Sequence, residues 1–304
     1  CNRQGRDDIL VVDHLASTEK WKNLVPLRFA DYLDRAAFLE RIESERIDGI
    51  EAIVHLGACS ATTERDADYL MENNYRYTRR LAEWAAARRV RFVTASSAAT
   101  YGDGAHGFSD EADIAPLRPL NMYGYSKHLF DLHARRTGLD QRGVAVKFFN
   151  VFGPNEYHKG EMASVVYHAF RRIGEEGDVA LFRSHRPEYG DGEQMRDFVY
   201  VKDCVDALWW LLEHPQVNGL FNLGSGKART WNDLARAIFA ALGREPRIEY
   251  VPMPEKLQGK YQYFTEATMG KLRAAGWPGP RHTLESAVAD YVAGHLARDF
   301  APLE

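Results

Sequence analysis

Tyr123 and Lys127 lie four apart in Tyr123-Gly-Tyr-Ser-Lys127. On a helix, that spacing puts both side chains on one face, one turn apart. A phenol of pKa ~10 is a poor base at neutral pH, and an ammonium one turn away favours the phenolate. The pair can therefore move a proton to or from a substrate oxygen. With 15 tyrosines in the chain the spacing also arises by chance, so its setting decides. Ser96-Ser97 closes the apolar run Arg91–Ala95, and in an open parallel sheet the loops at the strands' carboxyl ends gather the chemistry. A serine hydroxyl, a phenol and an ammonium could converge there on one hydroxyl. A weaker signal is Ile9-Leu-Val-Val-Asp13, a buried-type strand ending in an acid. In doubly wound dinucleotide folds such an acid holds the adenosine ribose; a turn-forming aspartate is the bland alternative.

Placing these residues requires a sheet. Short apolar runs at 9–12, 52–58, 91–95, 144–149 and 219–223 read as strands, and 32–46, 65–89, 123–137 and 162–176 as helices. The alternation predicts an α/β fold, a doubly wound parallel Rossmann-type sheet with helices on both faces. The runs are nearly continuous rather than alternating, as strands covered on both faces should be. Beyond residue 154 glycine and proline punctuate more often. The expected organisation is a dinucleotide-binding domain over 1–154 and a smaller substrate lobe, mainly 155–304, with segments such as 194–226 returning to the sheet.

Composition narrows the class. The 304 residues are 45% hydrophobic and 27% charged, with a formal charge of −4, which offers no global attraction to nucleic acid or to an anionic membrane. No apolar run approaches the ~20 residues of a membrane span. Three scattered cysteines, Cys1, Cys59 and Cys204, fit a reducing cytoplasm without a disulfide framework. Cys59 and Cys204 read as small buried hydrophobes. The 11 histidines show no His-x-x-x-His and the cysteines no Cys-x-x-Cys, so no metal site is expected. His128 and His133 do not share a helix face and read as surface or partner contacts. Arg88-Arg89-Val-Arg91 reads as a solvated helix end.

Four segments in order carry a resemblance: Ser96-Ser-Ala-Ala-Thr-Tyr-Gly102, Tyr123-x-x-x-Lys127, Phe149-Asn-Val-Phe-Gly-Pro154 and Arg196-Asp-Phe-Val-Tyr-Val-Lys-Asp203. Together they resemble the extended short-chain dehydrogenase/reductases that act on nucleotide sugars. His55-Leu-Gly-Ala-Cys-Ser-Ala-Thr-Thr-Glu64, Asn73-Asn74, His158-Lys-Gly160 with Met162-Ala-Ser164, Gly259-Lys-Tyr-Gln-Tyr-Phe-Thr265 and Lys271-Leu-Arg-Ala-Ala-Gly-Trp277 narrow it to the ADP-L-glycero-D-manno-heptose 6-epimerases. The likeness runs from about residue 7 to 298.

The resemblance implies a redox epimerisation. Tightly held NADP (NAD remains open) accepts a hydride from C6″ of ADP-D-glycero-D-manno-heptose, the aldehyde turns about its bond to the ring, and the hydride returns to the other face. It gives Tyr123 the role of one acid/base, with Lys127 lowering its pKa, Lys159 that of the second, and Ser97 a hydrogen bond to the reacting oxygen. Cofactor contacts carry over to Asp13, His14, Lys20, Arg35, Leu56, Gly57, Ala58, Cys59, Ser60, Asn73, Tyr123, Lys127 and Val151. Substrate contacts carry over to Ser97, Asn150, Lys159, Glu161, His168, Arg196 and Tyr261; a guanidinium such as Arg196 can grip a pyrophosphate bidentately. The resemblance further implies a homo-oligomer, a pentamer, in the cytoplasm of a cell that puts heptose into lipopolysaccharide. His14 stands where the family often has Asn, Arg35 where some members have Lys and Glu161 where some have Ser, while Arg183–Glu193 is longer than in some members. An acid such as Asp13 ordinarily favours NAD; Lys20 and Arg35 could offset it.

The chain opens at Cys1 and enters its first strand at once. The glycine-rich turn expected upstream of Asp13 has no counterpart, and by register about 18 family residues precede Cys1. The expectation is that the sequence is a fragment. Rival readings remain. A 4,6-dehydratase would need an acid pair where this chain has Ala98 and Ala99. A nucleotide-sugar 4-epimerase would share Ser97, Tyr123 and Lys127. A silent homologue acting as a binding protein would usually lose the tyrosine or the lysine.

Overall fold

The computed structural model describes residues 1–255 and 261–303. Its main sheet has the order β3 (Ala52–His55), β4 (Arg91–Ser97), β5 (Val144–Phe148), β9 (Gly219–Leu223), all parallel. A second parallel pair, β1 (Leu10–Asp13) and β2 (Asp31–Asp34), lies in register from Leu10 opposite Asp31 to Asp13 opposite Asp34. Among the described residues, β1 pairs only with β2, and β3 only with β4.

Parallel strands need crossovers, and helices supply them. α1 (Arg35–Glu43) follows β2 directly. α2 (Ala67–Leu70) runs through a π turn at Met71–Arg76 into α3 (Tyr77–Arg88), between β3 and β4. α4 (Met122–Thr137) joins β4 to β5. Leu81, Ala85, Phe92 and Phe130 form the core on this face. After β5 come β6 (Asn150–Phe152), α5 (Val165–Glu175), β7 (Val179–Phe182), β8 (Met195–Tyr200) and α6 (Val201–Glu213), which leads into β9. The chain then forms β10 (Ala228–Thr230), α7 (Trp231–Ala241), β11 (Ile248–Val251), α8 (Gly270–Ala274) and α9 (Leu284–Tyr291). Leu211 of α6, Leu220 of β9, Leu272 of α8 and Trp277 pack together on the opposite face. The sheet is therefore wound on both sides. A third core gathers Ile173, Phe239, Val288 and Tyr291 from α5, α7 and α9, beside the small sheets β10-β8-β6 and β11-β7.

Three local expectations change. Residues 31–34 are a strand rather than the start of a helix: Tyr32 and Leu33 pair with Val11 and Val12, and the helix begins only after Asp34, whose carboxylate accepts from the Ala36 amide at 2.8 Å. Such an acid stands in for a missing intrahelical acceptor at the first turn. His128 and His133 are buried, not surface contacts, and His133 meets Glu83 at 3.2 Å. Arg91 is not a solvated helix end. Its guanidinium turns inward and donates to Leu211 O (2.8 Å), Val217 O (2.9 Å) and Asn218 Oδ1 (2.8 Å), closing the carboxyl end of α6 in the sense its dipole favours.

Candidate active site

β4 delivers Ser97 to the carboxyl edge of the sheet, where its Oγ accepts from the Ala99 amide at 3.1 Å and caps the turn Ala98–Tyr101. α4 starts beside that turn, its first amides satisfied by Asn121, which accepts from Gly124 N at 2.8 Å. Gly124 is what allows the approach: a Cβ there would stand 2.8 Å from the Ala99 carbonyl oxygen. The glycine between Tyr123 and Tyr125 thus brings the helix down onto the serine turn.

Tyr123 is half-buried, with Ser97 close enough to its phenol to favour the phenolate. Lys127 is buried and donates from Nζ to Ala95 O at 2.8 Å. Burial lowers its pKa to about 8, while the Asp131 carboxylate works the other way. The tyrosine corrects an expectation. Burial pushes its pKa up, Ser97 only partly offsets that, and no lowering by Lys127 accompanies it. Desolvation penalises the phenolate more than the neighbours favour it, so the phenol stands protonated and ready to donate.

The segment after β3 is held against α4. Asn74, fully buried in the π turn, accepts from Cys59 N at 2.9 Å, donates to Cys59 O at 2.9 Å and donates to Ser126 Oγ at 3.1 Å. Asn73, the neighbour singled out as a cofactor contact, donates to Asn74 Oδ1. Asn74 is the residue sequence reasoning passed over; its only signal was the adjacent pair of asparagines. Leu56, Gly57 and Ser60 are exposed on this segment, and Ala58 and Cys59 half-buried.

A second group lies at the carboxyl ends of β1 and β2. Lys20 Nζ meets Asp13 Oδ1 at 2.7 Å, and His14 Nδ1 lies 3.1 Å from Asp34 Oδ2, next to Arg35 at the start of α1. Asn23 ties this group to the turn Tyr157–Met162, donating to Asn155 O at 3.1 Å and contacting His158 Nδ1 at 3.3 Å. Lys159 is exposed on that turn. Glu156 closes its base: the buried carboxylate accepts from Ser164 N (2.7 Å), Ser164 Oγ (2.6 Å) and the Tyr291 hydroxyl (2.9 Å). Behind it, Leu303 N donates to Asn155 Oδ1 and the Tyr157 hydroxyl to Ala301 O.

A third group is aromatic and cationic. Arg196 on β8 is 7% exposed, lies 4.9 Å from the Tyr261 ring centroid and 5.8 Å from that of Trp231, and donates to Met195 O. Trp231 Nε1 donates to the Tyr261 hydroxyl at 2.8 Å. Asn150 and Val151 are exposed on β6, His168 on α5, and Glu161 beside Lys159. Of the motif at 259–265, Gly259 and Lys260 lie outside the described residues.

Comparison with known proteins bears on this arrangement. The NAD dependent epimerase/dehydratase family matches residues 1–224. The ADP-L-glycero-D-manno-heptose-6-epimerase of Nitratidesulfovibrio vulgaris Hildenborough is 59% identical over 97% of this chain and 92% of its own length. That of Fusobacterium nucleatum is 45% identical, over 98% and 93%. The chain belongs to the ADP-L-glycero-D-manno-heptose-6-epimerases. It is an isomerase of the epimerase class. The crystal structure of the Helicobacter pylori member superposes with a TM-score of 0.77 at 26% identity, covering 94% of this chain and 87% of that one.

A nicotinamide dinucleotide fits the residues present. Leu56 (48% exposed) and Val151 (37% exposed) offer apolar surface suited to ring faces. Asp13 with Lys20 suits ribose hydroxyls and phosphate, and the buried Lys127 stands one helix turn from Tyr123. Among the described residues no cluster of side chains could hold a metal ion, and no helix is long and apolar enough to cross a membrane.

Proposed function

We propose that this epimerase inverts C6″ of ADP-D-glycero-D-manno-heptose, giving the L-glycero epimer, by transient oxidation and re-reduction. The observation that carries the reading is the Ser97–Tyr123–Lys127 cluster where the end of β4 meets helix α4, with a second ammonium, Lys159, presented from a separate turn. A carbinol carbon is far too weakly acidic for direct deprotonation at neutral pH, so inversion there calls for a redox route. The nicotinamide supplies reversible hydride acceptance when bound. The protein's own part is to handle the proton on the substrate oxygen, which points to opposite sides before and after inversion. Tyr123, beside Ser97, serves one orientation, its phenol kept protonated by burial and so able to donate to the substrate oxygen. Lys159 serves the other. Arg196, sheltered by Tyr261 and Trp231, suits the pyrophosphate, with Asn150, Glu161 and His168 nearer the sugar.

NADP is the proposed cofactor, because Lys20 neutralises Asp13 and removes the carboxylate's objection to a 2′-phosphate. Asp13, His14, Lys20, Arg35, Leu56–Ser60, Asn73 and Val151 would line it. The enzyme would work as a cytoplasmic homo-oligomer supplying the heptose of lipopolysaccharide. The test is proton NMR on substrate deuterated at C6″, in light water. The expected result is inversion with the deuterium retained at C6″; washout of the label into solvent would sink the redox route.

A further inference from the structure

Directly beneath the serine turn lies an ion pair with no exposed surface on either side chain: Lys147 Nζ meets Asp131 Oδ2 at 2.6 Å. Its members come from the elements that make the site. Asp131 is on α4, one turn beyond Lys127 and two beyond Tyr123. Lys147 is on β5, in register with Ser96 of β4.

The pair's remaining bonds go to both flanks of Ser97. Ser96 Oγ donates to Asp131 Oδ2 at 2.8 Å. Lys147 Nζ also donates to Thr100 Oγ1, and that hydroxyl donates to Ser97 O at 2.8 Å. The Lys147 ammonium lies 5.0 Å from the Tyr101 ring centroid, and the Tyr101 hydroxyl donates to Asn222 Oδ1 at 2.7 Å, fixing the end of the turn to β9. Asp131 Oδ1 accepts nothing among the described residues.

A buried ion pair is a poor way to gain stability. Taking both charges out of water costs as much as their attraction returns, and an apolar pair of similar volume often holds a fold equally well or better. What it offers beyond packing is direction, because its hydrogen bonds fix the angle at which strand, turn and helix meet. We infer that Asp131 and Lys147 are positioning residues of the active site, holding the Ser97 turn against α4 so that the serine hydroxyl, the Tyr123 phenol and the Lys127 ammonium meet on one substrate oxygen. The Asp131 carboxylate also favours the charged form of Lys127 against burial. The inference rests on the reading that Ser97, Tyr123 and Lys127 carry the chemistry.

Two double variants of the whole protein, charged with its cofactor, test it in the epimerisation assay, beside Tyr123→Phe. Asp131→Leu with Lys147→Met replaces the pair by apolar groups of similar size. It should unfold cooperatively at or above the wild-type temperature and lose about 10- to 100-fold in kcat, since an error of ~1 Å at a catalytic group costs on that order. KM for the nucleotide sugar should stay within about twofold, because no substrate contact is lost. Ser96→Ala with Thr100→Val leaves the pair intact and cuts its hold on the turn. This second variant decides the matter should the first not fold, and the same loss confined to kcat is expected. Wild-type kcat in either folded double variant, with Tyr123→Phe inactive, overturns the positioning role alone. Full activity in Tyr123→Phe overturns the reading of the site on which it rests.

Discussion

Lys127 and Lys159 are both ammonium groups assigned to one reaction, yet the protein builds them in opposite ways. Lys127 stands on a 16-residue helix, 4% exposed, its Nζ bound to a strand carbonyl and its pKa lowered to about 8 by burial. Lys159 stands exposed on a short turn that is held by Glu156, by Asn23 through Asn155 and His158, and by the tail at 301–303. The first is placed by the same packing that folds the sheet, so it can shift only if the sheet does. The second is placed by a local clamp, so it can adjust to an oxygen arriving from a different side. On the proposed mechanism that asymmetry is useful: Tyr123, on the helix that fixes Lys127, handles the proton at a set position, and the exposed Lys159 follows the substrate oxygen as it turns.

The largest effects should come from deleting each proton handler, Tyr123 on the helix of Lys127 and Lys159 on its turn. Tyr123→Phe and Lys159→Met should each lower kcat about 10²- to 10⁴-fold, the range for losing a general acid/base. Thermal unfolding of Lys159→Met should be indistinguishable from wild type, because an exposed side chain packs against little. A Lys159→Met enzyme retaining more than about a tenth of the activity would leave the turn without a catalytic role and the comparison without its second member.

Conservative exchange should then separate the two lysines. Lys127→Arg forces a larger, planar group into a filled site. It should cost about 1–3 kcal/mol of stability by overpacking and roughly 100-fold in kcat, as the guanidinium cannot reproduce the point contact with Ala95 O. Lys159→Arg has room. Its unfolding temperature should not change, and it should keep about a tenth or more of the activity. Denaturant melts and initial rates on both variants check this; equal damage would mean that the turn is as rigid as the helix.

How much of this was legible in the sequence follows the same division. Tyr123 and Lys127 are visible because their relation is local, four residues on one helix, and β3, β4, β5 and β9 because each is a short apolar run. β2 was hidden: Asp31-Tyr-Leu-Asp34 carries only two apolar residues and runs straight into a helical pattern, so its extended state depends on pairing with β1. Asn74 with Ser126 and Glu156 with Tyr291 join residues 52 and 135 apart, separations that no local pattern records. The acidity of Tyr123 is hidden for a related reason. Spacing shows the neighbouring charge but not the burial, and burial prevails. Asp131 and Lys147 lie 16 residues apart, and only the packing of α4 on β5 brings them together.

The smallest expected effect tests the clamp itself. Glu156 spends both carboxylate oxygens on Ser164 and Tyr291, so Glu156→Gln loses the charge and keeps an acceptor for Ser164 N only by turning its amide nitrogen toward the two hydroxyls, which must then accept rather than donate. The mismatch should cost about 1–3 kcal/mol, felt first by the turn 157–162 that the clamp closes. If the turn is a local unit, hydrogen exchange should quicken there while the amides of α4 stay protected. kcat should fall about tenfold through looser placement of Lys159. Faster exchange in α4 as well would show that clamp and helix open together. The two proton handlers would then belong to one cooperative framework, and the adjustable second base would have to be given up.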